Sequence, residues 1–111
     1  MPESRTHQPR IFTYAEAVAL LPEVRKLTER ARSRVEAISS APGGTAESSR
    51  ATDEVVREWA QSIIDLGVEV KGLWLVDFDN GSGYYCWRYP ETGLDYFHSY
   101  EDGLGGRMRI Q

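Results

Sequence analysis

The sequence is short of the residues that make chemistry easy to read. It has one cysteine among 111 residues, so no disulfide forms within the chain. The simplest compartment is then the cytoplasm. It has two histidines and no HxxxH, CxxC or HExxH spacing, so no metal motif is present. No apolar run approaches the roughly 20 residues that cross a bilayer, and no membrane partner is expected. The opening MPESRTHQPR is polar and lacks an apolar segment, so it does not read as a secretory signal. No serine sits in a nucleophile-elbow setting and no carboxylate pair stands at a defined spacing. An enzyme is therefore the less favoured class.

A basic excess is also missing. Residues 1–64 carry nine basic and nine acidic side chains, while residues 65–102 set Lys71 and Arg88 against eight carboxylates. A nucleic-acid binder needs a basic face to displace counterions. The one basic cluster, Arg25, Lys26, Arg30, Arg32 and Arg34, is interleaved with Glu23, Glu29 and Glu36 and reads as a solvated helix face. No nucleic acid is expected.

What is present suffices for one folded domain over residues 1–111. Hydrophobic residues make up 41% and charged residues 27%. TYAE at 13–16 fits a capping box, with Thr13 and Glu16 satisfying each other's backbone N–H. Phe12 just before it is placed to staple onto Ala17 or its neighbours. Ala17, Leu20, Leu21, Val24, Leu27, Ala31, Val35 and Ile38 then recur at steps of three and four, one helical stripe. Pro22 predicts a kink or break in it. SSAPGGT at 39–45 is a loop. A second stripe, Val55, Val56, Trp59, Ile63 and Leu66, predicts a helix from about Glu47 or Asp53 to Leu66, with Gly67 as its left-handed cap. Together they form an antiparallel helical hairpin over about 14–66, paired like a short coiled coil.

The period then changes to two. GVEVKGLWLVDFD has strand composition, with one strand or two. DNGS predicts a two-residue turn at Asn80-Gly81, and PETG a second at Glu91-Thr92. The fold class is α+β: a long antiparallel helical hairpin packed on a small antiparallel β-meander over about 68–100. A glycine-rich C-terminal loop follows over 101–111.

These turns set a register. Trp74 faces Trp87, Val76 faces Tyr85, Tyr85 faces His98, and Arg88 faces Asp95. One face then holds Trp74, Val76, Phe78, Tyr85, Trp87, Tyr89, Leu94, Tyr96 and His98 and packs on the helices. The other holds Leu75, Asp77, Tyr84, Cys86, Arg88, Asp95, Phe97 and Ser99. Cys86 and His98 point to opposite faces, which disfavours Cys-His catalysis and makes Cys86 a small buried residue. His98 reads either as a partly buried histidine packed on Tyr85 or as a ligand contact. For a divalent metal the candidates are His98, Glu101 and Asp102. For a small ligand they are Glu69, His98 and Arg107, gathered near one end of the sheet. DGLGGR at 102–107 lacks the setting of a phosphate loop and reads as plain loop, with Arg107 free to clamp an anion or to pair with Glu101 or Asp102.

RIFTYAEAVALLPEVR at 10–25 and GVEVKGLWLVDFDNGSGYYCWRYPETGLDYFHSYEDGLGGR at 67–107 resemble the bacterial DUF2203 family of uncharacterised proteins. Its pattern opens R-x-FT…EA…LLPE, continues GVEVKD…GLVDFP, and ends Y-x-CWR…Y-W/F-H…G-x-x-GR. Arg10, Phe12, Thr13, Leu20, Leu21, Pro22, Glu23, Gly67, Glu69, Lys71, Asp77, Phe78, Cys86, Trp87, Arg88, His98, Gly103, Gly106 and Arg107 fall on it. Gly72 stands where Asp is usual, and HSYEDG where HELDAG is. The resemblance supports the fold and carries no activity with it.

Two functions follow as expectations. One is a non-enzymatic cytoplasmic module that self-associates as a dimer through its helices, or binds a partner there, because the hairpin offers more apolar stripe than a small sheet covers. The other is a small-ligand or divalent-metal-binding protein with its site around His98.

Overall fold

The computed structural model describes residues 10–111. Most of the polar opening stretch lies outside them. Helix α1 runs over Tyr14–Ser40 and helix α2 over Thr45–Asp65. Five strands follow: β1 (Glu69–Gly72), β2 (Leu75–Asp79), β3 (Gly83–Arg88), β4 (Tyr96–Ser99) and β5 (Met108–Arg109). They form one antiparallel sheet in chain order, β1-β2-β3-β4-β5. This is the expected α+β arrangement of a helical hairpin on a meander. The meander gains a fifth strand from the C-terminal stretch read as loop. No helix among the described residues is long and apolar enough to cross a membrane.

The capping box forms. Thr13 Oγ1 accepts from Glu16 N at 3.1 Å, and Glu16 Oε1 accepts from Thr13 N at 2.9 Å. Pro22 breaks nothing: α1 is one helix of 27 residues that includes it. Gly67 takes φ +86, as a left-handed cap requires. The Arg10 side chain lies so close that a Cβ on Gly67 would come within 2.8 Å of it.

The core lies between the hairpin and one sheet face. Ala17, Leu21, Val24 and Ala31 of α1 and Val55, Trp59 and Ile63 of α2 meet Phe12, Val68, Val76, Phe78, Trp87 and Leu94. Phe12 stacks edge-on against Phe78 at 5.3 Å. Trp59 and Thr28 join the helices by a buried hydrogen bond of 2.8 Å.

The register differs from expectation at both hairpins. In the first, Val76 pairs Trp87 and Phe78 pairs Tyr85. The turn residues are Gly81 and Ser82, because Asn80 Oδ1 accepts from both Ser82 N and Gly83 N at 2.8 Å and Gly81 takes the positive φ. That shift is two residues, so faces are kept. Trp74 does not stand opposite Trp87. It sits in the β1–β2 turn at φ 59, with its ring edge-on to Trp59.

The second hairpin slips by one. Tyr84, not Tyr85, pairs His98, and Cys86 pairs Tyr96. The chain turns straight after Arg88: Glu91 N donates to Arg88 O, Glu91 Oε1 accepts from Arg88 N, and Trp87 Nε1 donates to Glu91 O. Residues 89–95 make a wide connection in place of a two-residue turn. A one-residue slip exchanges every face along β4. His98 and Tyr96 therefore leave the core face, and the expected Arg88–Asp95 pair does not form, because the pairing of β3 with β4 ends at Cys86 and Tyr96.

Candidate functional site

The slip brings His98 onto the sheet face that carries Asp77 and Cys86. The opposite-face placement of Cys86 and His98 is thus overturned. Asp77 and Cys86 are partners between β2 and β3, and His98 stands on β4. One ligand-type atom from each, a carboxylate O, Sγ and a ring nitrogen, lies within 4.8 Å of the others. All three side chains are buried: Asp77 and Cys86 are 1% exposed and His98 3%.

The cover comes from the C-terminal arm. Residues Tyr100 to Leu104 pass over this face and leave a pocket of about 360 Å3 lined by Lys71, Leu75, Asp77, Cys86, His98 and the arm. The arm is pinned at both ends. Tyr100 donates to Asp79 Oδ1 at 2.7 Å, and Arg107 pairs with Glu91 at 2.7 Å while stacking on Tyr96.

Asp77 is the hub. Its Oδ2 accepts from His98 Nε2 at 2.9 Å and from Lys71 Nζ at 3.1 Å. Its Oδ1 is buried with no partner. Lys71 also reaches Glu69 at 3.4 Å and lies 3.7 Å over the Tyr84 ring, whose hydroxyl donates to Glu69. His98 Nδ1 lies 2.9 Å from the Ser99 carbonyl, which can only accept. Nδ1 therefore carries a hydrogen, and a second proton is shared between Nε2 and Asp77.

The electrostatics follow from burial and this hub. Burial, reinforced by the Asp77 charge and only partly offset by Arg107, pushes the Cys86 thiol up to about 12. Burial works against the charge of Lys71, but the hydrogen bond and charge of Asp77, with Glu69 and Tyr84 adding to them, raise it above its ordinary value. Burial and the Glu69 charge raise Tyr84. The hydrogen bond to Asp79 raises Tyr100 to about 12. Cys86 is held as a thiol, and both His98 nitrogens are committed to oxygens. The pair is not set for nucleophilic attack, because a cysteine nucleophile needs a free base beside it.

The sequence-derived candidates are distributed as follows. His98 lies at the centre. Glu69 is connected to it through Lys71 and Asp77. Arg107 stands apart, paired with Glu91 and not with Glu101 or Asp102, and donates to the Cys86 carbonyl at 3.4 Å. Glu101 and Asp102 line the pocket but are exposed, and Asp102 accepts from Ser99 Oγ at 3.0 Å. Sequence reasoning missed Asp77, Lys71 and Cys86 as site residues. A signal for Asp77 was there: a lone carboxylate in the apolar run LWLVDF, which folding has to pair.

No curated protein and no solved structure matches the chain. A family model described as "Uncharacterized conserved protein (DUF2203)" matches residues 10–110. The chain belongs to the DUF2203 family.

Proposed function

We propose that this is a small-ligand-binding protein whose site is the pocket between the outer sheet face and the C-terminal arm. The observation that carries this reading is the Asp77–His98 contact on the pocket wall, with Lys71 on the same carboxylate oxygen. Charged groups that are costly to bury converge in a concave, partly enclosed place, as binding sites arrange them. A solved core histidine with one neutral partner would not need Lys71, Glu69 and Tyr84 around it. The test is a nuclear magnetic resonance titration of 15N-labelled protein with acetate, inorganic phosphate, imidazole and Zn2+ in turn. At least one probe shifts the signals of Lys71, Asp77, His98 and residues 100–104 together. Silence from all four at that patch overturns the reading.

A second reading, self-association or partner binding through the helices, is favoured by the far end of the hairpin. Residues 32–54 include no fully buried side chain, and Val35, Ile38 and Ala51 stay half-buried there. A second copy would complete that packing. Light scattering showing a strict monomer at high concentration removes it.

A further inference from the structure

We infer that Asp77, Cys86 and His98 form a Zn2+ site with one coordination position open to the pocket. The inference rests on the pocket reading above and names its occupant.

Three observations carry it. The first is the donor set. A carboxylate O, a thiol S and an imidazole N, from β2, β3 and β4, lie within 4.8 Å of one another. Thiolate with imidazole suits zinc and disfavours Mg2+ and Ca2+, which take oxygen. A tetrahedron with bonds of about 2.0–2.3 Å has edges of roughly 3.3–3.7 Å, so closing on an ion asks for a contraction of roughly 1.1–1.5 Å at most. Side-chain rotation supplies that.

The second is orientation. His98 donates Nδ1–H to the Ser99 carbonyl at 2.9 Å, which turns Nε2 toward Asp77. A zinc-bound histidine is held in the same way, with its far nitrogen on a backbone carbonyl. The third is the orphan oxygen. Asp77 Oδ1 is buried and accepts from nothing, although its carboxylate is 1% exposed. A buried acceptor without a donor calls for an ion or another partner. The charge also closes. Asp77 and a Cys86 thiolate neutralise the +2 ion, and Lys71 remains paired with Glu69 at 3.4 Å. Binding displaces two protons, that of the Cys86 thiol and the one between His98 Nε2 and Asp77, and both leave to solvent as the S–Zn and N–Zn bonds form.

The experiment uses the full chain, purified without a histidine tag and stripped with a chelator. Co2+ is added first as a spectroscopic stand-in. The expected result is a thiolate-to-cobalt absorption band that saturates at one equivalent and is bleached by one equivalent of Zn2+. Zn2+ alone raises the melting temperature. Cys86→Ser, which removes one atom's chemistry with little change of shape, loses the band. Asp77→Asn weakens Zn2+ more than the about 10–100-fold that outer-shell changes cost. A band that survives in Cys86→Ser places the ion elsewhere and overturns the inference. So does the absence of both a band and a melting shift in the wild-type protein. If the metals fail while acetate, phosphate or imidazole still shifts the pocket resonances, the zinc assignment falls alone. If those probes fail too, the pocket reading falls with it.

Discussion

His98 Nε2 and Asp77 Oδ2 meet at 2.9 Å although their strands, β4 and β2, are not neighbours: the contact spans β3. It ties the two strands that flank β3 together across the face that the helices do not cover. Removing one member of a buried pair leaves the other uncompensated, at about 3–5 kcal/mol. Lys71 stays on Asp77 when His98 is lost, so His98→Ala is expected to cost less, about 2–3 kcal/mol in urea denaturation. The double variant Asp77→Ala/His98→Ala should lose less than the sum of its parts by at least about 1 kcal/mol. Strict additivity would show that the contact carries no energy.

Gly83 sets the approach of β3 to β4 beside that histidine. A Cβ there would lie 2.6 Å from the His98 carbonyl oxygen and 2.8 Å from the Phe97 ring. Backbone cannot step aside as a side-chain tip does. Gly83→Ala should therefore cost about 1–3 kcal/mol through overpacking and move the His98 ring resonances. Gly105→Ala, where nothing lies within 4 Å, is the control and stays within about 0.5 kcal/mol of wild type. Equal melting temperatures for the two variants would refute the close approach.

Cys86 should be chemically quiet in metal-free protein. Its thiol is 1% exposed and is raised from 9.0 to about 12, and the thiolate is the reactive form. Ellman's reagent at pH 8 should react only as fast as the protein opens, and at once in denaturant. The sign for stability follows from the same shift. The folded state holds the proton more tightly than the unfolded chain, so this contribution is intact below about pH 9 and is lost as pH rises toward 12. Rapid labelling of native protein at pH 8 would show that the thiol is neither buried nor raised.

The parts of this fold legible in the sequence are those set locally. The capping box needed only Thr13 and Glu16, the helices only their apolar spacing, and the end of α2 only Gly67. Of the kink or break that Pro22 predicts, the break does not occur, because α1 is continuous through it. The site was illegible because it depends on a connection length. PETG reads as a tight turn, yet Trp87 Nε1 and the Glu91 side chain hold the chain in a wider path over 89–95. One residue of difference there moved His98 from the core face to the face of Asp77 and Cys86. Pro90 was the available hint, since it cannot donate to a ladder and so argues against paired strands through Tyr89.

The helical stripe also hid a polar residue. Thr28 lies between Leu27 and Ala31 and is 0% exposed. Its hydroxyl donates to Val24 O at 2.8 Å and accepts from Trp59 Nε1 at 2.8 Å. One oxygen thus satisfies an indole N–H that the interface between α1 and α2 would otherwise leave buried without an acceptor. Thr28→Val keeps the shape and the β-branch, so packing changes little. It removes only the acceptor. The cost is then that of an unsatisfied buried donor, about 1–3 kcal/mol, with α1 itself unharmed because Val24 O keeps its helical bond. Thr28→Ser keeps the oxygen and loses one methyl, so it should cost about 1 kcal/mol or less. Trp59→Phe in the Thr28→Val background removes the orphan donor and should recover part of the loss, while Trp59→Phe alone should not stabilise the wild type. Chemical denaturation of the four proteins reads the cycle. A Thr28→Val variant as stable as wild type would show that the hydroxyl contributes nothing to joining the two helices.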